Sequence, residues 1–146
     1  MNSDDPVLRL MEDVEKLKVE IKRLAAQRQV YNIVNPANEV QISSNQNNYS
    51  VGDYDILYIE PTGADRTING LTGGVDGRML WILNSAQSGS FNLLFTHQNA
   101  AATAENRIAT TTAGTITLGG RKLALFAYDR GVVTGTPRWI MFLPPA

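Results

Sequence analysis

The chain carries two hydrophobic rhythms. Up to about residue 31, apolar side chains recur at alternating spacings of three and four: Val7, Leu10, Val14, Leu17, Ile21, Leu24 and then Tyr31. With Val7 at heptad position a, the a column reads Val7, Val14, Ile21, Arg28 and the d column Leu10, Leu17, Leu24, Tyr31. Glu12, Asp13, Glu15, Lys16, Lys18, Glu20, Lys22 and Arg23 occupy most other positions. A stripe this narrow is the seam of a coiled coil, where a and d side chains meet another helix. A helix lying on its own domain usually shows a wider apolar stripe. Here Asp13, Lys18, Glu20, Ala25 and Gln27 fill most e and g positions, and only Met11 widens the stripe.

Local signals agree with a helix. Asp5 is the expected N-cap and Pro6 the expected first helical residue. Glu12 and Lys16 stand in the favourable i,i+4 order, contributing roughly 0.3 kcal/mol. Val or Ile at a with Leu at d leans towards two parallel strands, and Arg28 at an a position ends the tight seam. A coil of about three heptads is marginal alone, so further contacts must hold the chains together.

From residue 32 the period becomes two. The alternation predicts strands over Glu39–Ser44, Asp55–Glu60, Arg66–Asn69, Arg78–Asn84, Phe91–His97, Thr115–Leu118, Lys122–Tyr128 and Arg138–Leu143. Turn-forming stretches such as "NQNNYSVGD", "PTGAD" and "SAQSGS" separate them. Short strands at this spacing predict an antiparallel β-sandwich, jelly-roll-like, over residues 32–146, preceded by the coiled-coil helix over 1–31. No long helix interrupts the strands, which argues against a parallel α/β sheet. "LGG" before "KLALFAYD" predicts a hairpin, "NPANEV" a linker, and "NAAATAEN" a loop or at most a helical turn.

Composition narrows the function. A chain of 146 residues with 43% hydrophobic content makes one domain plus an appendage. A net charge of −1 gives no bulk attraction to nucleic acid or an anionic membrane. With no cysteine, disulfides, cysteine-ligated zinc and thiol nucleophiles are excluded. No apolar run approaches the roughly 20 residues of a membrane span. The start, "MNSDDPVLRL", is acidic where a secretory signal would be basic, so the expectation is synthesis in the host cytoplasm without such a signal.

"THQNAAATAENRI" holds the single histidine, His97, close to Asn99, Glu105, Asn106 and Arg107. A nucleophilic triad needs a Ser, Thr or Cys beside the His, and no Gly-x-Ser-x-Gly turn occurs. A catalytic zinc usually needs three protein ligands, most often histidines. A carboxylate pair for glycoside hydrolysis could form in space, but most acids of the β half fall at turns, where Asp satisfies backbone N–H groups. The cluster therefore reads as pinning a loop. His97 ends the strand "FNLLF", Asn99 and Asn106 bond their own backbones, and Arg107 pairs with a carboxylate such as Asp129. The glycine pairs at 73–74 and 119–120 lack the Gly-Lys-Ser/Thr of a phosphate loop and read as turn glycines. No catalytic residue, metal ligand or cofactor is expected.

"GGVDGRMLWILNSAQSGSFNLLFTHQNAAATAENRI", "GTITLGGRKLALFAYD" and a final "RW" resemble a β-domain of tailed-bacteriophage fibre and other virion structural proteins. The matching positions are Gly73, Gly74, Asp76, Gly77, Asn84, His97, Asn99, Asn106, Arg107, Ile108, Ile116, Leu118, Gly119, Tyr128, Asp129, Arg138 and Trp139. They fall between residues 66 and 142, about half the chain. The resemblance implies a homotrimeric, non-enzymatic virion part, a short fibre or capsid decoration protein, with capsid or tail proteins as partners. The implied trimer outweighs the dimer preference of the heptads, because a β-domain interface buries more area than three heptads. The alternative is a receptor-binding module for host surface glycan, with Tyr49 and Tyr54 as the surface aromatics and Trp81 and Trp139 in the core. A polysaccharide hydrolase is a third reading, for which 146 residues leave little room for an extended cleft.

Overall fold

In the computed structural model, residues 6–31, 36–131 and 135–143 are described. The chain divides into two compact units, Met1–Ile33 and Val34–Ala146.

The first unit is one helix, α1, over Pro6–Tyr31. The expected cap, Asp5, lies outside the described residues. Charged side chains pair along the helix surface: Asp13–Lys16 at 3.6 Å, Glu15–Lys18 at 2.6 Å and Glu20–Arg23 at 2.6 Å, each three residues apart. Lys16 thus takes Asp13 rather than the expected Glu12. The hydrogen bonds from Arg23 hold the Glu20 carboxyl below its ordinary range and raise the Arg23 guanidinium. Both groups are exposed, so these pairs add little to stability. The seam side chains Val7, Leu10, Leu17 and Ile21 are 61–65% exposed and Val14 41%. The side chain of Leu24 lies outside the described residues.

The second unit is mainly β, with eleven strands among the described residues. They are β1 (Pro36–Ile42), β2 (Tyr49–Ser50), β3 (Ile56–Pro61), β4 (Arg66–Ile68), β5 (Leu71–Thr72), β6 (Met79–Asn84), β7 (Leu93–Phe95), β8 (Ile108–Thr110), β9 (Ile116–Leu118), β10 (Leu123–Asp129) and β11 (Arg138–Phe142). All eight strands expected from alternation are present, with ends shifted by a few residues. The strands β2, β5 and β8 were not anticipated: β2 and β5 have two residues each, and β8 follows directly on the loop "NAAATAEN". The expected linker at 35–40 is largely strand, since β1 begins at Pro36.

The pairing departs from an antiparallel sandwich. A six-stranded sheet runs β1-β3-β6-β10-β11-β8, beside a three-stranded sheet β4-β7-β9 and a two-stranded sheet β2-β5. β1, β3 and β6 are mutually parallel neighbours, as are β4 with β7 and β2 with β5. Gln46 bridges Ile68 in the same parallel sense. The chain therefore winds. It visits the three sheets in turn, then returns to lay the next strand beside the first. Tyr49 stands opposite Leu71 and Gln46 opposite Ile68, each 22 positions on. Parallel strands ordinarily need a helical crossover. Here the crossover is the rest of the turn, passing through the other two sheets.

After β7 the winding stops. β9 runs antiparallel on β7, β10 antiparallel on β6, and β11 antiparallel on β10. The hairpin expected at Gly119–Gly120 is absent: β9 and β10 flank that turn but pair in different sheets. The consecutive strands β10 and β11 do pair antiparallel.

The winding encloses one core. Val51, Ile59, Ile68, Leu71, Leu80, Ile82, Leu93, Phe95, Ile108, Phe126, Trp139 and Met141 have no exposed surface. Phe95 and Phe126 meet at 5.1 Å between ring centroids, and Tyr128 meets Trp139 edge-on at 5.2 Å. Trp139 is core as expected, and its Nε1 donates to Leu71 O at 2.8 Å. Trp81 is only half-buried and points away from the core, opposite to Leu80 and Ile82.

Two glycines sit where the chain passes closest to itself. A Cβ on Gly74 would lie 2.0 Å from the Tyr128 ring, and one on Gly120 would lie 2.3 Å from Gln87 O. The turn reading of "GG" is therefore incomplete: Gly73 turns with φ +86°, while Gly74 and Gly120 make room.

Candidate functional site

Polar side chains line one corner of the β unit, where successive turns of the winding meet, and of the residues singled out in the sequence Asn106 joins them while Asp129 does not. Three side chains stack there. Asn69 Nδ2 donates to Asn47 Oδ1 at 2.7 Å, and Thr96 Oγ1 donates to Asn69 Oδ1 at 2.7 Å. Asn47, Asn69 and Thr96 occupy the same place on successive turns, at separations of 22 and 27 residues. Asn69 is buried, so its amide needs both partners.

The loop after β7 folds over this corner. Asn48 Oδ1 accepts from Thr103 N at 3.1 Å, Thr103 Oγ1 at 3.2 Å and Asn106 Nδ2 at 3.0 Å. Asn106 Nδ2 also donates to Thr103 Oγ1 at 2.6 Å. Ala104–Asn106 forms a single 3₁₀ turn, the helical turn allowed for this stretch. Beneath it, a Cβ on Gly70 would lie 2.6 Å from Ala102 Cβ and 2.9 Å from Asn47 O.

His97 belongs to the far end of the same loop. Its Nδ1 accepts the Thr110 backbone N–H at 3.1 Å. Thr110 Oγ1 donates to Gly114 O at 2.7 Å, which turns the next corner. An accepting Nδ1 places the neutral ring's proton on Nε2. Asn99 Oδ1 accepts from Ala101 N at 2.8 Å, the local backbone bond expected of it. Asn106 differs from expectation, since it reaches across to Asn48. Arg107 differs too: its Nε donates to Ala102 O at 3.3 Å rather than to a carboxylate. Asp129 Oδ1 accepts from Gly131 N at 3.1 Å at the start of the β10–β11 turn.

Other side chains do the same work elsewhere. Asn84 is fully buried in β6. Its Nδ2 donates to Phe91 O and Leu118 O, and its Oδ1 accepts from Ala86 N. Arg78 donates to Gly73 O, Gly52 O and Tyr54 O at 2.7–2.8 Å, joining two successive turns of the chain. Asp65 accepts from Asn92 N and Nδ2, and these bonds hold its carboxyl below the ordinary range. Asn47, Asn48, Asn69 and Arg78 were not anticipated in the sequence. The signal was present as an offset of 22 between "NQNNYS" and "INGLT", a spacing invisible to a search for strand alternation.

The two surface aromatics separate. Tyr49 sits in β2, half-buried against the core, and burial pushes its hydroxyl pKa up. It is not the exposed loop aromatic expected. Tyr54 is 39% exposed, with its ring over Gly52.

Among the described residues, no three His, Asp or Glu side chains form a metal-holding group, and no helix is long and apolar enough to cross a membrane. No family model, curated protein or solved structure matches the chain. The named amides, hydroxyls and guanidinium close onto backbone atoms and onto one another.

Proposed function

We propose that the protein is a structural component of a virion surface, a short homotrimeric fibre or capsid decoration protein without enzymatic activity. One observation carries this reading. A helix with an exposed heptad seam is joined, through residues 32–35, to a β unit whose singled-out polar side chains bind its own main chain. The seam gives parallel alignment between copies, and the pinned corners give a rigid head. Three heads on one stalk engage neighbouring capsid or tail proteins together, so weak contacts sum through effective concentration. The order of motifs shared with virion β-domains supports the same reading.

The test is whether the chain is in the particle. Antibodies raised against residues 36–143 are expected to give discrete immunogold labelling on capsids or tails of virions whose genome encodes it. Particles that carry the gene but never the label would overturn the proposal.

A further inference from the structure

The six-stranded sheet has a second face. Alternate residues point away from the core, and at these positions a sheet that faces water normally carries polar side chains. Here Ile56, Trp81, Leu125 and Phe142 stand side by side across four strands. Leu83 and Leu123 are paired in the adjacent row. Five of the six are half-buried and Phe142 is exposed. Charge lies at the margins. Glu60, bonded by Gln41 at 2.6 Å, is on the β1 side, and Arg138 is on the β11 side. An apolar centre with tryptophan inside a polar rim is the anatomy of a protein interface.

We infer that this face is where copies of the chain pack against one another. The inference rests on the self-assembly proposed above and names the surface it uses. Two arguments select a second copy as occupant. The same chain presents a second bare apolar surface, the α1 seam, whose heptad spacing suits parallel copies of itself. Chains joined at α1 hold their β units at high effective concentration, so identical faces meet.

The test uses the full chain with Ala127→Cys. Ala127 lies within the face between Met79 and Ile140, and the chain has no other cysteine. Ser88→Cys, in an exposed loop, is the control. Thiol reactivity towards a disulfide reagent and native mass by light scattering are read together. The expected result is a multimer in which Cys at 127 reacts at least about tenfold more slowly than Cys at 88. Adding Leu125→Lys should abolish that shielding. The thiol rate in the unaltered face needs no disruptive substitution, so the test survives misfolding of the Leu125→Lys variant. A multimer whose Cys at 127 reacts as fast as the control would overturn this inference and leave self-assembly standing. A monomer with a fast thiol would overturn both. A monomer with a slow thiol would mean the chain covers its own face, and would overturn both as well.

Discussion

In α1, Leu10 and Ile21 leave more than 60% of their surface exposed, whereas Ile59, Ile68 and Ile82 in the β unit expose none. Polar groups show the reverse. Those of α1 form exposed pairs three residues apart. In the β unit several reach tens of residues along the chain, as Asn106 does to Asn48 and Trp139 does to Leu71. The helix is complete in its local bonds and incomplete in its packing. The β unit gathers its alternating apolar side chains into one core, while Ser85 Oγ is buried without a hydrogen-bond partner and the outer face of the six-stranded sheet stays partly exposed. An apolar side chain of this size gains about 1.5–3 kcal/mol on full burial. The bare surfaces are therefore where further free energy remains to be gained, and copies of the chain can gain it.

The contrast breaks most visibly if the long-range contacts are removed. Trp139→Ala empties a fully buried site and strands Leu71 O, so it should destabilise the β unit by about 3–5 kcal/mol in urea unfolding, while α1 helicity is unchanged. Asn69→Ala leaves the facing groups of Asn47 and Thr96 without a partner. A loss of about 1–3 kcal/mol is expected by the same measurement. His97→Ala orphans the Thr110 N–H in a partly buried place. A loss of about 1 kcal/mol is expected, with faster amide exchange at Thr110.

The smallest effect concerns pH. Asp65 has its folded pKa depressed by the bonds from Asn92. Its contribution is present above its unfolded pKa, about 3.9, and disappears as pH falls through the lower folded value. Urea midpoints of the native chain and Asp65→Asn should therefore converge below that range and differ slightly above it. An equal difference at every pH would remove the proposed role of the carboxylate.

What the sequence made legible follows range. Heptad spacing and strand alternation are short-range signals, and both Pro6–Tyr31 and eight of the strands could be read from them. The directions of pairing could not. Whether β3 lies parallel or antiparallel to β1 depends on the route taken through residues 43–55, where Asn45, Gln46 and Tyr49 each meet the next turn of the winding. Glycines were legible as turns at Gly73, but not as clearances at Gly74 and Gly120, because the atoms they clear come from Tyr128 and Gln87. In the loop cluster the local bond of Asn99 was legible. The bonds of Thr103 and Asn106 to Asn48 were not, because Asn48 lies 55 and 58 residues earlier, in a stretch read only as a turn.

The account turns most directly on native mass. Light scattering across a size-exclusion peak should give three times 16.0 kDa for the full chain, and a lower mass for the full chain carrying Leu10→Lys and Leu17→Lys, with the β unit's urea midpoint unchanged. A full chain at 16.0 kDa would contradict the account, because neither the α1 seam nor the outer sheet face would then be joining copies.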